Sequence, residues 1–172
     1  DFTMSKADGC EGLTVNFSDL SFSDTLIQDW IWDFGDGKFS TAQHPAHTYP
    51  DPGKYTVSLT ITDAKGCTEV ITKIDTIEVY ALPVAIIGLS DTAGCRPFSV
   101  QFTDQSTASA TITNWNWNLG NQNNSIWSAT NYTFTQQGIY SIDLTVTDAH
   151  GCTAETSRPI EVYELPRANF YA

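Results

Sequence analysis

The feature of this chain that most restricts its fold is an internal repeat with an offset of 85 residues. Between residues 9 and 67, 21 of 59 positions are identical to the residues 85 positions further on, without a gap. The matches include a tryptophan pair, Trp30 and Trp32 against Trp115 and Trp117. Repetition over this length predicts two modules of one fold in tandem and not a single domain.

The end of the repeat places the module boundaries. After residue 67 the register slips by two, so that 77–80 aligns with 160–163, and we expect a tolerant loop at the missing pair. We predict modules over 1–82 and 83–166, with 167–172 as a linker and the start of a third module. Because the period is long and built from strands, the modules are expected to be separate domains in series with modest contacts.

Hydrophobic periodicity favours strands throughout the chain. Segments 14–18, 55–62 and 140–147 alternate apolar and polar residues, which is typical of strands with one buried face. Turn sequences such as Asp36-Gly37 and Lys65-Gly66 separate the strands, and no stretch has helical periodicity. The sequence therefore predicts an all-β fold of two tandem immunoglobulin-like β-sandwiches.

The same alternation gives the tryptophans a structural role. Trp30 and Trp32 share one face of a strand, as do Trp115 and Trp117 in the second copy. Paired aromatic side chains on the inward face of a central strand are more often core than a ligand platform. We interpret all four as core anchors, which leaves Trp127 as the better exposed candidate for binding.

Charge and hydropathy exclude two classes of partner. The chain has 20 acidic and 8 basic residues, and its net charge of −12 repels the phosphates of nucleic acids. No apolar run approaches the roughly 20 residues that span a bilayer, so we expect no membrane insertion. These properties predict a soluble segment of a longer, exported protein.

Three motifs in order resemble the polycystic-kidney-disease (PKD) domain: Trp32-Asp33-Phe34-Gly35-Asp36-Gly37, His47-Thr48-Tyr49 and 53–60. The second module keeps part of the first motif as Trp117-Asn118-Leu119-Gly120-Asn121. The resemblance implies a seven-strand sandwich that occurs in tandem outside the cell, as a spacer, an interaction module or an accessory domain of secreted hydrolases. The paired Gly-Cys positions are similar to repeats of large surface proteins and type IX-secreted proteins of Bacteroidetes-type bacteria.

The aspartates of the glycine turn allow two interpretations. Asp33 and Asp36 could supply oxygen ligands to calcium, or they could accept hydrogen bonds from N–H groups of the turn. Module 2 has Asn118 and Asn121 at these positions, so a calcium site is predicted for module 1 alone. No other cofactor is expected. We predict no catalytic residues, because the histidines have no serine or thiol partner in a nucleophile motif.

Each module contains two cysteines at equivalent positions, which is typical of disulfides in an exported protein. The default pairing is Cys10–Cys67 and Cys95–Cys152, within each module, with a stabilisation of about 4 kcal/mol for a loop of this length. In an immunoglobulin-like topology, however, these positions lie at opposite ends of the sandwich. A cross-module bond, Cys10–Cys152, is the alternative, with Cys67 and Cys95 left for neighbouring modules.

Two further groups of surface residues are candidate sites. Thr25, Thr76 and Thr92 each follow an aspartate, in a pattern that resembles the O-glycosylation sequon of Bacteroidetes-type bacteria. Trp127 and Tyr132 could form an aromatic binding face, with Tyr49 as a weaker candidate in module 1.

The sequence as a whole predicts a non-catalytic extracellular repeat segment of a surface adhesin or filament, with a spacer and interaction role. Its expected partners are neighbouring modules of the same chain, identical chains in a fibre, or surface glycans and proteins. The alternative is a substrate-targeting accessory module of a secreted hydrolase.

Overall fold

A computed structural model describes residues 1–169, which divide into two compact units, Asp1–Ala81 and Leu82 onward. Every regular element among the described residues is a strand, so no helix is present there that is long and apolar enough to cross a membrane. The predicted start of a third module, 167–172, has no strand at 167–169, and 170–172 lie outside the described residues.

Module 1 contains eight strand segments in two sheets. They are β1 (Phe2–Met4), β2 (Asp8–Cys10), β3 (Leu13–Asp19), β4 (Ile27–Asp33), β5 (Phe39–Ser40), β6 (Ala46–Tyr49), β7 (Gly53–Asp63) and β8 (Thr68–Tyr80). One sheet has the order β1-β3-β6 and the other the order β2-β8-β7-β4-β5. The first strand of the sandwich is divided between the sheets as β1 and β2, so counting it once gives seven strands.

Module 2 repeats this arrangement. Its strands are β9 (Ile87–Leu89), β10 (Ala93–Cys95), β11 (Phe98–Asp104), β12 (Ile112–Asn118), β13 (Asn124–Ser125), β14 (Ala129–Phe134), β15 (Gly138–Asp148) and β16 (Thr153–Tyr163). The sheets have the orders β14-β11-β9 and β10-β16-β15-β12-β13. The predicted fold class, all-β with two immunoglobulin-like sandwiches, is confirmed.

The core of each module lies between its two sheets and is built on the inward face of the tryptophan strand. Trp32 and Trp117 are fully buried, whereas Trp30 and Trp115 are partly buried and pack against the same cores. The indole N–H of Trp32 donates to the carbonyl of Ala42 at 2.9 Å. A buried Trp needs a partner for this polar group, and the strand-to-strand connection supplies it.

The two-residue slip in the repeat is a β-bulge within β8 and not the loop that we predicted. Opposite β7, Ile77 pairs with Tyr55 and Lys73 with Val57, so three residues of β8 face the single residue Thr56. Asp75 takes a positive φ of 46°, and its N–H donates to the Thr56 hydroxyl at 3.1 Å. The extra residues are accommodated locally because a bulge leaves the ladder on both sides in register.

Glycine is required at position 35 for two reasons. Gly35 has a φ of +81°, and a Cβ there would collide with the backbone carbonyl oxygen of Thr56 on β7. Gly37 has the same φ of +81°, but nothing lies within 4 Å of its Cβ position. A comparison of substitutions at Gly35 and Gly37 therefore separates the energetic cost of backbone strain from the cost of a steric clash.

We predict that Gly37→Ala lowers the free energy of unfolding of module 1 by about 1 kcal/mol, the penalty of a left-handed L-residue. Gly35→Ala should cost clearly more, because the clash adds to the same strain. Calorimetric unfolding of the two variants and the parent chain measures both. Equal costs for the two substitutions would show that β7 does not approach the turn as closely as described.

Candidate functional site

The aspartates of the glycine turn are engaged in hydrogen bonds to the protein. Asp33 Oδ1 accepts the N–H of Gly35 at 2.9 Å, and Asp36 Oδ1 accepts the N–H of Lys38 at 3.1 Å. The second oxygen of Asp36 lies 2.8 Å from His47 Nε2. His47 stacks on Phe34 with ring centroids 4.1 Å apart. These contacts hold the β4–β5 turn against β6.

The corresponding turn of module 2 forms the same bonds with neutral side chains. Asn118 Oδ1 accepts the N–H of Gly120 at 3.0 Å, and Asn121 Oδ1 accepts the N–H of Asn123 at 3.3 Å. An amide oxygen can replace the carboxylate because the turn requires an acceptor and not a charge. Within residues 1–169 no three His, Cys, Asp or Glu residues are grouped so that they could hold a metal ion. Calcium at Asp33 and Asp36 stays a prediction.

A buried acid that the sequence analysis missed fixes the other end of the tryptophan strand. Asp19 is 7% exposed, and its carboxylate accepts bonds from the Trp30 indole N–H at 2.8 Å, the Ser21 N–H at 2.8 Å and Gln43 at 3.3 Å. In module 2, Asp104 accepts the Trp115 indole N–H at 2.7 Å. The sequence does contain a signal for this interaction, because both copies of the repeat have an aspartate at the same position, Asp19 and Asp104.

Hydrogen bonding determines the titration of Asp19. Burial alone would raise its pKa, but the bonds from Ser21, Trp30 and Gln43 together stabilise the charged form and hold the pKa below its ordinary value. A carboxylate whose pKa is lower in the folded state stabilises the fold above its unfolded pKa of about 3.9. That contribution is lost as the pH falls through the folded pKa.

We predict that Asp19→Asn lowers the stability of module 1 at pH 7 by about 1–3 kcal/mol, the usual cost of weakening hydrogen bonds to a buried charged group. The difference between the variant and the parent chain should shrink below about pH 4, because the parent also loses its carboxylate charge there. Urea unfolding at pH 7 and at pH 3 measures it. A difference that stays constant with pH would contradict a role for the charge.

A second acid organises the hairpin between the two longest strands of each module. Asp63 Oδ1 accepts the N–H groups of Lys65 and Cys67, both at 2.9 Å, and Asp63 Oδ2 accepts the Thr25 hydroxyl at 2.6 Å. The bond from Thr25 is the main reason that the pKa of Asp63 lies below its ordinary value. The carboxylate thus presents a cysteine at the tip of the hairpin in a fixed backbone geometry.

The equivalent acid in module 2 lacks one partner. Asp148 Oδ1 accepts the N–H groups of His150 and Cys152 at 2.9 Å, as in module 1. Its Oδ2 is buried without a hydrogen-bond partner, because Ala110 stands at the position of Thr25. An unsatisfied buried acceptor destabilises the fold.

We predict that Ala110→Thr raises the stability of module 2 by about 1 kcal/mol, since the new hydroxyl can donate to Asp148 Oδ2. The matched substitution in module 1, Thr25→Ala, should lower stability, because it leaves Asp63 Oδ2 without this donor. Calorimetry of both variants provides the test. A destabilising Ala110→Thr would mean that the site has no room for the hydroxyl.

The four cysteines lie at the two ends of the modules. Cys10 lies opposite Tyr80 in the pairing of β2 with β8, at the end where β8 finishes. Cys67 immediately precedes Thr68, where β8 begins. At about 3.3 Å per residue, β8 separates the two cysteines by roughly 40 Å. Cys95 pairs with Tyr163 at the end of β16, and Cys152 precedes Thr153.

The predicted within-module disulfides are therefore wrong. A disulfide requires Cα atoms within about 7 Å, and the length of one strand lies between the two cysteines of each module. Cys67 and Cys95 are free and exposed. Cys10 and Cys152 are both disulfide-bonded, which supports the presence of a disulfide in this protein.

A family model described as the PKD domain matches the chain twice, over residues 3–79 and 80–162, and together these ranges cover most of the sequence. The chain belongs to the PKD-domain family. The two matched ranges correspond to the two sandwiches, and the resemblance inferred from the turn motifs is confirmed.

Among curated proteins, the PKD modules are similar to a microbial collagenase of Vibrio alginolyticus, with 35% identity over 86 residues, 49% of this chain and 10% of that protein. They are also similar to the pre-pro-metalloprotease PrtV of Vibrio cholerae, with 46% identity over 57 residues, 33% of this chain and 6% of that protein. The chain thus spans a tenth or less of the length of these relatives. A solved PKD1 domain of PrtV matches with 32% identity and a TM-score of 0.43, over 47% of this chain and 96% of that domain.

Within the PKD modules, the two residues of the predicted aromatic face differ in environment. Trp127 is 71% exposed, while its carbonyl accepts the Trp117 indole N–H at 2.9 Å. Tyr132 is half-buried, meets the edge of Phe134 at 4.7 Å and is bonded through its hydroxyl to Asn123. Trp127 is therefore an exposed side chain on a fixed backbone, and its joint role with Tyr132 stays a prediction.

The suggestion that Tyr49 contributes to such a face is wrong. Tyr49 is fully buried, and its hydroxyl donates to the Phe34 carbonyl at 3.2 Å. This bond ties β6 to the turn after β4.

The three candidate threonines also occupy different environments. Thr25 donates its hydroxyl to Asp63, and Thr76 lies 3.5 Å from the sulfur of Met4, so both hydroxyls have contacts within the module. Thr92 is exposed in the segment before β10. Glycosylation of the three stays a prediction, and Thr92 is the most accessible of them.

Proposed function

We propose that the two PKD modules form a non-catalytic extracellular segment of a surface adhesin or filament, in which they act as spacers and as protein-interaction modules. Such a role requires modules that fold independently, stay soluble and connect in series. It does not require a cleft or a cofactor.

A comparison of the two modules carries this proposal. Both keep the buried tryptophans, the bond from Asp19 or Asp104 to an indole, and the aspartate-held hairpin. The features common to both modules are therefore scaffold features. A spacer depends on the scaffold alone.

The outward faces of the same sheets are different. In module 1, Ile31 and Val70 flank Thr60 across three strands, and both apolar side chains are at least half exposed. In module 2, Asn116 and Glu155 flank Thr145 at the equivalent positions. A ligand site repeated in both modules would need common surface residues, and at the centre of these faces only the threonine is common.

Partner classes follow from the charge and the cysteines. The net charge of −12 opposes contact with nucleic acid and with anionic lipid surfaces. Disulfide-bonded cysteines suit an exported protein. Neighbouring modules, identical chains in a fibre, and surface glycans or proteins are the proposed partners, and the proposed location is the cell surface.

A second candidate function is favoured by the named relatives. The similar proteins include collagenases and a metalloprotease, which are hydrolases. An accessory role in such a parent would use the PKD modules to hold a substrate. Trp127, with the exposed neighbour Ile126, is the proposed contact in that case.

A binding assay on the 172-residue chain separates the two functions. We predict that the chain is not retained by insoluble collagen, since a spacer has no site for the substrate of a hydrolase. Retention that is lost in Trp127→Ala would instead establish the accessory function. Ile139→Ala is the matched control, because Ile139 is 75% exposed and belongs to the same module.

A further inference from the structure

The sheet edges of this chain differ in how far they are protected from pairing with another chain. Each of the four sheets ends in two edge strands, so residues 1–169 contain eight of them. Seven have two to four residues, whereas β14 has six. An edge strand presents unpaired N–H and carbonyl groups, and short length is one way in which proteins keep these groups from pairing. β14 lacks this protection.

The ladder between β11 and β14 shows which backbone groups of β14 face the open edge. The Asp104 N–H donates to the Ser128 carbonyl at 2.8 Å, so Ser128 bonds toward β11. In an antiparallel pair the direction of bonding alternates from one residue to the next. The residues of β14 that direct both N–H and carbonyl to the open edge are therefore Ala129, Asn131 and Thr133. All three have exposed side chains, and no other strand among residues 1–169 pairs with this edge.

In module 1 the equivalent edge is bounded by prolines. β6 has four residues, and Pro45 and Pro50 stand immediately before and after it. Proline has no N–H to donate to a neighbouring strand, and it is one of the residues that protect natural sheet edges. Module 2 has Thr130 and Thr135 at these positions. The edge of module 2 is therefore both longer and unprotected.

The surface beside the β14 edge carries no charge. A shallow groove along the strand is lined by seven residues, none of them charged, among them Ser99, Gln101 and Asn131. The chain as a whole has a net charge of −12, so two copies repel each other in general. An uncharged edge is where identical chains approach with the least repulsion.

A second copy of β14 fits this edge in an antiparallel register. With Asn131 opposite the same residue of the copy, Ala129 lies opposite Thr133 and Thr133 opposite Ala129. Each of these pairs exchanges two backbone hydrogen bonds, because all three residues direct both groups outward. The two Asn131 amides are then neighbours, and each supplies a donor and an acceptor. One two-fold axis relates the chains, so the contact is isologous and closed.

We propose that β14 is a self-association edge, which pairs antiparallel with β14 of a second copy of this chain about Asn131. The small sheets of the two copies then form one continuous sheet. The proposal rests on the proposed function, since it names the contact by which identical chains associate laterally in a fibre. It assigns that contact to module 2 alone, because the prolines beside β6 protect the equivalent edge of module 1.

Sedimentation velocity of the 172-residue chain, with Cys67 and Cys95 alkylated to prevent cross-linking, tests the association. The parent chain should form a dimer whose fraction rises with concentration. Asn131→Pro removes the central outward N–H and no bond to β11, so this variant should be folded and monomeric. Ala46→Pro is the matched control, because Ala46 has the equivalent position on β6, and this variant should dimerise as the parent does.

Opposite charges at position 131 test the register. Asn131→Lys and Asn131→Asp each place two like charges at the two-fold axis, so each variant alone should have a dissociation constant at least about tenfold above that of the parent. An equimolar mixture should form a heterodimer, because the two charges then have opposite sign. Both variants keep every backbone N–H, so they test the edge even where the proline variant does not fold.

Three outcomes would overturn the proposal. They are a parent chain that stays monomeric at its highest soluble concentration, a dimer that Asn131→Pro leaves intact, and a mixture of Asn131→Lys with Asn131→Asp that stays monomeric. The proposed function fails separately. Retention on collagen that Trp127→Ala abolishes contradicts that function, whereas a monomeric chain does not.

Discussion

The long antiparallel hairpin of each module is the element on which the rest of the structure depends. In module 1 the pairing of β7 with β8 runs from Gly53 opposite Val79 to Thr62 opposite Thr68. It supports the tryptophan strand on one side and the short β2 on the other. Because the hairpin spans the module, whatever is attached to its tip and to its open end is separated by the full length of the sandwich.

This separation connects the core to the chemistry of the module ends. The buried Trp32 and Trp117 fix the position of the central strand, and the aspartate-held turn at the hairpin tip fixes a cysteine. The two cysteines of a module are then held apart by a rigid ladder, so they cannot bond to each other. The fold of one module thus determines which of its thiols cannot pair.

The sequence predicted those parts of the fold that depend on the burial of apolar side chains. Apolar alternation identified the strands, and the repeated tryptophans identified the core, because both patterns report directly which face is covered. The bulge in β8 was not predictable, since Asp75 adopts a positive φ without a glycine to mark it.

Polar interactions at strand ends were also missed. Asp19 is the last residue of β3, and only the packed structure shows that an indole N–H reaches it. Tyr49 is aromatic and could have served as a binding residue, yet its ring is buried in the core. The within-module cysteine pairing could be excluded only with the observed topology, because a sequence gives the spacing of two residues but not the direction of the strand between them.

Force spectroscopy of the 172-residue chain, held at its two ends, tests the central claim most directly. Each module is about 80 residues long and has a hairpin and a hydrophobic core of its own. We therefore predict that the chain, pulled in reductant, unfolds in two separate steps, each of which releases on the order of 25 nm at about 3.5 Å per residue. Unfolding of both modules in a single step would contradict the account.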